Sequence, residues 1–111
     1  MPTPVRKEWS TPRAHPRYLL DQRVILRAGT VLHGRTKDIS EGGLAATVAG
    51  ELPADTPVEL EFHLPGNSSP LKITAEVRYR QGFQYGFRFL EATREQRDLI
   101  REATVRLPLA P

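Results

Sequence analysis

Between Val24 and Phe89 the chain repeats one device: apolar and polar residues alternate for a short run, then a glycine or proline cluster breaks it. The clearest run is Pro57 to Leu64, where Val58, Leu60, Phe62 and Leu64 share one parity and Glu59, Glu61 and His63 the other. A period of two puts alternate side chains on opposite faces of a strand, so one face is built for a core and the other for water. Leu71, Ile73, Ala75, Val77 and Tyr79 continue the pattern after the break at 65–70. Tyr85, Phe87 and Phe89 resume it after Gln81-Gly82-Phe83, the signature of a hairpin. Upstream, Val24, Leu26 and Ala28 alternate up to Gly29-Thr30. Val31 to Ile39 runs to Ser40-Glu41-Gly42-Gly43, and Leu44 to Val48 comes next. Six short antiparallel strands leave two bare edges if the sheet stays open, so the expected architecture is all-β, a six-stranded antiparallel small barrel.

The period changes only at the end. Thr93-Arg94-Glu95-Gln96 has the capping-box form, and Leu99, Ile100, Ala103 and Leu107 come after it at helical spacing until Pro108. This predicts a C-terminal α-helix over 93–107 and a tail over 108–111. At the other end Pro2, Pro4, Pro12 and Pro16 forbid a helix, giving a flexible tail over 1–9 and an extended N-terminal arm over 10–20. Trp9, beside the arm, reads either as a peg against the barrel or as part of the loose tail. At 111 residues the chain has room for one core, so arm, barrel (21–91) and helix form a single domain over 10–107.

Composition narrows the chemistry. No stretch approaches the roughly 20 apolar residues of a membrane span, and the first residues carry no apolar signal segment, so a cytoplasmic setting without membrane insertion is expected. The absence of cysteine removes disulfides, thiolate metal sites and cysteine nucleophiles. His15, His33 and His63 lack metal-ligand spacing, so no metal is expected. Ser40 lies in no nucleophile elbow, and neither a phosphate-cradling Gly-Lys-Ser/Thr loop nor a dinucleotide fingerprint occurs, which argues against an enzyme and against a cofactor. The net charge of +3 makes an anionic partner plausible; the dominance of arginine among the basic residues suits phosphate and guanine recognition but equally suits a GC-rich genome.

Two constellations stand out. Arg13-Ala14-His15-Pro16-Arg17 roots two guanidinium groups roughly 13 Å apart on one side of an extended, proline-restrained backbone, a spacing fit to grip one large anion. Taken alone, a solvated basic arm explains it as well. Asp38-Ile39-Ser40-Glu41-Gly42-Gly43 sets Asp38 and Ser40 on one face of a strand end, with Gly42 and Gly43 free to take positive φ and to let backbone approach a ligand. A carboxylate suits the N–H donors of a guanine edge and a hydroxyl donates or accepts beside it; a simple serine turn is the competing reading.

An Arg-x-x-x-Arg arm before the first strand, with Asp-x-Ser-x-x-Gly at the end of the second, resembles the PilZ family of bacterial cyclic di-GMP receptors. The segment from Gly86-Phe87-Arg88-Phe89 into the charged helix is similar to that family's closing segment, and the resemblance spans about residues 10–107. It implies a receptor whose ligand is cyclic di-GMP, held by Arg13 and Arg17 from the arm and by Asp38, Ser40 and Gly43, with Gly42 beside them, from the barrel. Family members often carry a tryptophan beneath a guanine where this chain has Tyr79; parity groups Tyr79 with Ile73 and Val77, so stacking platform and core residue are both open. The resemblance also implies a protein partner that reads a rearrangement of arm against barrel, and a monomer or weak homodimer is expected; a single-strand-binding barrel is disfavoured, because the aromatics mostly share parity with the core and Glu59, Glu61 and Glu76 occupy the opposite faces, so no nucleic-acid polymer is expected. The alternative is a PilZ-like interaction module of type IV pilus or motility machinery that binds no nucleotide.

Overall fold

The computed structural model describes residues 15–52 and 56–111. Seven strands run β1 Tyr18–Leu19, β2 Arg23–Arg27, β3 Val31–Ile39, β4 Gly43–Val48, β5 Val58–Phe62, β6 Leu71–Gln81 and β7 Gln84–Phe89, and helix α1, Arg94–Thr104, comes after them. All pairings are antiparallel, in the order β3-β2-β5-β6-β7-β4, and β4 pairs back onto β3. The six strands β2 to β7 therefore form a closed barrel with no free edge. The seventh, β1, is the end of the arm, and it extends the edge of β3 beyond β2 through Tyr18 opposite Ile39 and Leu19 opposite Asp38.

Alternation becomes a core as expected. Val24, Leu26, Leu44, Ala46, Val48, Val58, Leu60, Phe62, Ile73, Ala75, Tyr85 and Phe87 all point into the barrel and are buried. Tyr85 keeps its hydroxyl satisfied by accepting from the Leu52 N–H and donating to the Gly50 carbonyl, both at 3.2 Å.

Helix α1 begins where the capping box places it. The Thr93 hydroxyl accepts from the Gln96 N–H, and the Gln96 side chain accepts from the Thr93 N–H. Gln96 Nε2 also donates to the Lys72 carbonyl at 2.9 Å, which fixes the helix start on β6. The helix is shorter than the apolar spacing predicts: Val105 is its C-cap, and Leu107 packs against the core from the turn beyond it. Ile100 is fully buried and Ala103 nearly so, and the helix covers the barrel end where the 64–67 connection and the 40–43 turn lie. Truncating Ile100→Ala removes the helix's deepest anchor. It should cost about 2–5 kcal/mol in urea unfolding, with faster amide exchange along α1.

Candidate functional site

Two one-residue bulges decide which side chains face outward. On β3 the register slips between Thr36 and Asp38, leaving Lys37 as the extra residue; on β6 it slips between Val77 and Tyr79, leaving Arg78. Each slip reverses the parity of the strand residues beyond it. Thr36 faces inward opposite Ala46, but Asp38 stands opposite Ala45, whose neighbours Leu44 and Ala46 fill the core. Likewise Val77 pairs with Phe87 inside, while Tyr79 pairs with Gly86 on the outer face. The reading that grouped Tyr79 with Ile73 and Val77 is thus overturned by the bulge at Arg78. The Tyr79 ring lies over Gly86, where a Cβ would run into it, and its hydroxyl accepts from Gln84 Nε2 at 3.0 Å.

The result is one row across the outer face: Asp38 on β3, Ala45 on β4, Gly86 on β7 and Tyr79 on β6. A carboxylate and a phenol ring flank two residues with almost no side chain. Leu19 of the arm continues the row beyond Asp38.

The arm is rooted beside Asp38. The Leu20 N–H donates to the Lys37 carbonyl, and the buried Thr36 hydroxyl donates to the Leu20 carbonyl and accepts from the Gln22 N–H. Arg17, one residue before β1, places Nη1 3.5 Å from Asp38 Oδ1, and both side chains are largely buried, at 18% and 15% exposed. Arg13, the other arginine of the arm, lies outside the described residues.

Ser40 and the two glycines build the turn. The Ser40 N–H donates to the Gly43 carbonyl at 2.8 Å, and the Ser40 hydroxyl accepts from the Gly42 N–H at 3.2 Å. The expectation of positive φ at Gly42 and Gly43 does not hold, because among the described glycines only Gly29, Gly50, Gly66 and Gly82 adopt it. Gly43 is needed for close approach instead, and Gly42 is tightly packed. A Cβ on Gly43 would run into the Phe87 carbonyl, and one on Gly42 would lie 3.2 Å from the His15 ring, which rests against this turn.

Glu41, in the middle of the turn, takes both oxygens to Arg101 of α1, with Nε and Nη2 each at 3.1 Å. Sequence reasoning passes over this clamp, since sixty residues separate the partners. It also passes over Thr36, whose inward hydroxyl looks like any strand threonine. Among the described residues no three of His, Cys, Asp and Glu cluster as a metal site. A groove of about 930 Å³ lined by Ile25, His33, Val48 and Phe83 contains none of the motif residues.

Fold and site together define a small closed barrel with an arginine-bearing arm laid along the strand that ends in an Asp-x-Ser-x-x-Gly turn. The family pattern described as the PilZ domain matches residues 11–106, and the chain belongs to that family. Among solved structures it is similar to the PilZ domain of CeSA from a cellulose-synthesizing bacterium, with 20% identity, TM-score 0.63, and 80% of this chain and 94% of that one covered. It is similar to the Bacillus subtilis inhibitor of motility MotI/DgrA at 16% identity and TM-score 0.74 over 86% of this chain and 51% of that one, about half the Bacillus protein's length. It is also similar to the PilZ domain of Escherichia coli YcgR, solved with cyclic di-GMP, at 17% identity and TM-score 0.66, covering 87% and 92%. No curated protein matches it in sequence.

The Glu41 clamp has a pH signature. Hydrogen bonding to Arg101 holds the Glu41 carboxyl below its ordinary 4.5, against a smaller opposing effect of burial, and the charges of Arg101, His15 and Arg97 add to it. A depressed carboxyl stabilises the fold above its unfolded pKa and loses that contribution as pH falls through the folded value. The pair is partly exposed, Arg101 at 58% and Glu41 at 28%, so solvent screens it and its contribution is small. In urea titrations the stability gap between wild type and Glu41→Gln should be widest near neutral pH and close below about pH 4.

Proposed function

We propose that this chain is a cyclic di-GMP receptor that binds its ligand without transforming it, in a cytoplasmic setting, and passes the resulting rearrangement of arm and barrel to a protein partner. The observation that carries the reading is the single row on the outer face: Asp38 with Arg17 laid over it, then Ala45 and Gly86, then the Tyr79 ring. Each member suits one part of a cyclic purine dinucleotide. Arg17, with Arg13 from the arm, supplies guanidinium forks for a phosphate or for guanine O6 and N7. Asp38 accepts from the N–H donors of a guanine edge, and the turn built by Ser40, Gly42 and Gly43 lets backbone approach. Ala45 and Gly86 add little bulk to the row, which lets the Tyr79 ring lie over Gly86 and offer its outer side for a base to stack on.

Membership of the PilZ family supports this reading, as do relatives solved with cyclic di-GMP, YcgR and the Borreliella burgdorferi PlzA protein. No helix among the described residues is long and apolar enough to cross a membrane. Ligand binding at this row would engage Arg17 and, through it, β1, so the arm is the part of the molecule whose placement the ligand changes most.

Isothermal titration with cyclic di-GMP tests the proposal. Binding of micromolar strength or better, about −8 kcal/mol, is expected, with none for GTP. Arg13→Ala, Arg17→Ala and Asp38→Ala should each cost about 1–3 kcal/mol of affinity. Tyr79→Ala should cost about 1–3 kcal/mol through lost stacking, with barrel stability little changed, because the ring lies on the outer face. Absence of binding to the folded wild type would overturn the reading and leave the non-binding interaction module.

A further inference from the structure

The last residues of the chain are not a loose tail. After α1 the chain turns at Leu107 and runs antiparallel along the outer edge of β1, the edge that β3 does not use. The Leu19 N–H donates to the Pro108 carbonyl at 2.8 Å, the Ala110 N–H donates to the Arg17 carbonyl at 2.9 Å, and Tyr18 stands opposite Leu109. The arm strand is therefore the middle of three, with β3 on one side and residues 108–110 on the other. Arg17 is held at both ends: its carbonyl on the tail, its guanidinium on Asp38.

The tail gains little for itself from this position. Leu109, its one large side chain, is 65% exposed, so few apolar contacts hold it there, and the attachment is mainly a backbone ladder. A segment that contributes its hydrogen bonds to the arm and little to the core has the arm as its main beneficiary.

We propose that residues 108–110 are a component of the ligand site, a positioning strand that fixes β1 and so sets where Arg17 stands over Asp38. This rests on the cyclic di-GMP reading. Without the ladder the arm strand keeps its bonds to β3 but loses those on its outer edge, and Arg17 can then leave the row. Linkage makes the coupling reciprocal: if the tail strengthens ligand binding by holding the arm, bound ligand must strengthen the tail's hold on the arm by the same factor.

Ala110→Pro deletes the N–H that donates to the Arg17 carbonyl, at a position outside the barrel strands and the helix. Isothermal titration with cyclic di-GMP should show affinity about three- to tenfold weaker than wild type, the size of one lost backbone bond. Ala110→Ser, which keeps the N–H, should restore it. Exchange of the Leu19 amide should quicken in Ala110→Pro without ligand, while amides of β5 and β6 exchange as in wild type. In the unmodified protein, saturating cyclic di-GMP should slow exchange of the Ala110 amide, a measurement that needs no variant to fold. If wild type binds and Ala110→Pro binds equally well, or if ligand leaves the Ala110 amide as it was, the tail proposal falls and the receptor reading stands. If wild type binds no cyclic di-GMP, both fall.

Discussion

Strand β3 is shared, and the rest of the site depends on how it is divided. One edge pairs with β4 over Gly34–Ile39 and closes the barrel; the other pairs with β2 over Val31–Arg35 and then with the arm at Asp38 and Ile39. The handover happens at Thr36 and Lys37, where the bulge lies. There the buried Thr36 hydroxyl satisfies the Leu20 carbonyl and the Gln22 N–H of the crossing chain, and the Thr36 N–H donates to the Gln22 carbonyl. Without that bulge Asp38 would face the core with Thr36. An unpaired carboxylate there would cost several kcal/mol, so one extra residue both admits the arm and turns the acid out to meet it.

The barrel was legible because burial on one face repeats every second residue, and that signal is local. Val58, Leu60 and Phe62 announce their strand without reference to any partner. The bulges are not local: whether Arg78 is an ordinary strand residue or an inserted one depends on where β7 pairs, and nothing in Ala75 to Tyr79 records it. That is why parity left Tyr79 undecided between core and surface. The two short motifs were legible as residue types in the right order, but the reason for their glycines was not. Gly43 serves close contact with the Phe87 carbonyl, a neighbour more than forty residues away. The Glu41–Arg101 clamp and the pairing of the tail with the arm share that character: both join segments whose sequences show only a charge in a turn and a proline after a helix.

Those long-range ties connect the row to the helix and to the chain's last residues. Arg101 holds the Asp-x-Ser-x-x-Gly turn from α1, while residues 108–110 hold the arm. The two sides of the site, turn and arm, are thus each fastened to the same C-terminal segment, one through a side-chain pair and one through backbone. A shift of the arm against the turn must be felt in 101–110, which lies on the outside of the barrel where another protein can reach it. On the receptor reading proposed above, this would carry the effect of a ligand outward with no change in the core, whose close packing resists small displacements.

The Arg17–Asp38 pair sets how much such a shift costs. Nη1 stands 3.5 Å from Oδ1, at the long limit of hydrogen bonding, with both side chains largely buried. The pair still confines a side chain whose rotamers are worth about 2 kcal/mol of entropy, a cost met before any ligand arrives. On the receptor reading proposed above, that confinement in advance lowers what binding would cost, because charge-assisted bonds from arginine to phosphate are strong and the acid beside it is placed to accept from a base.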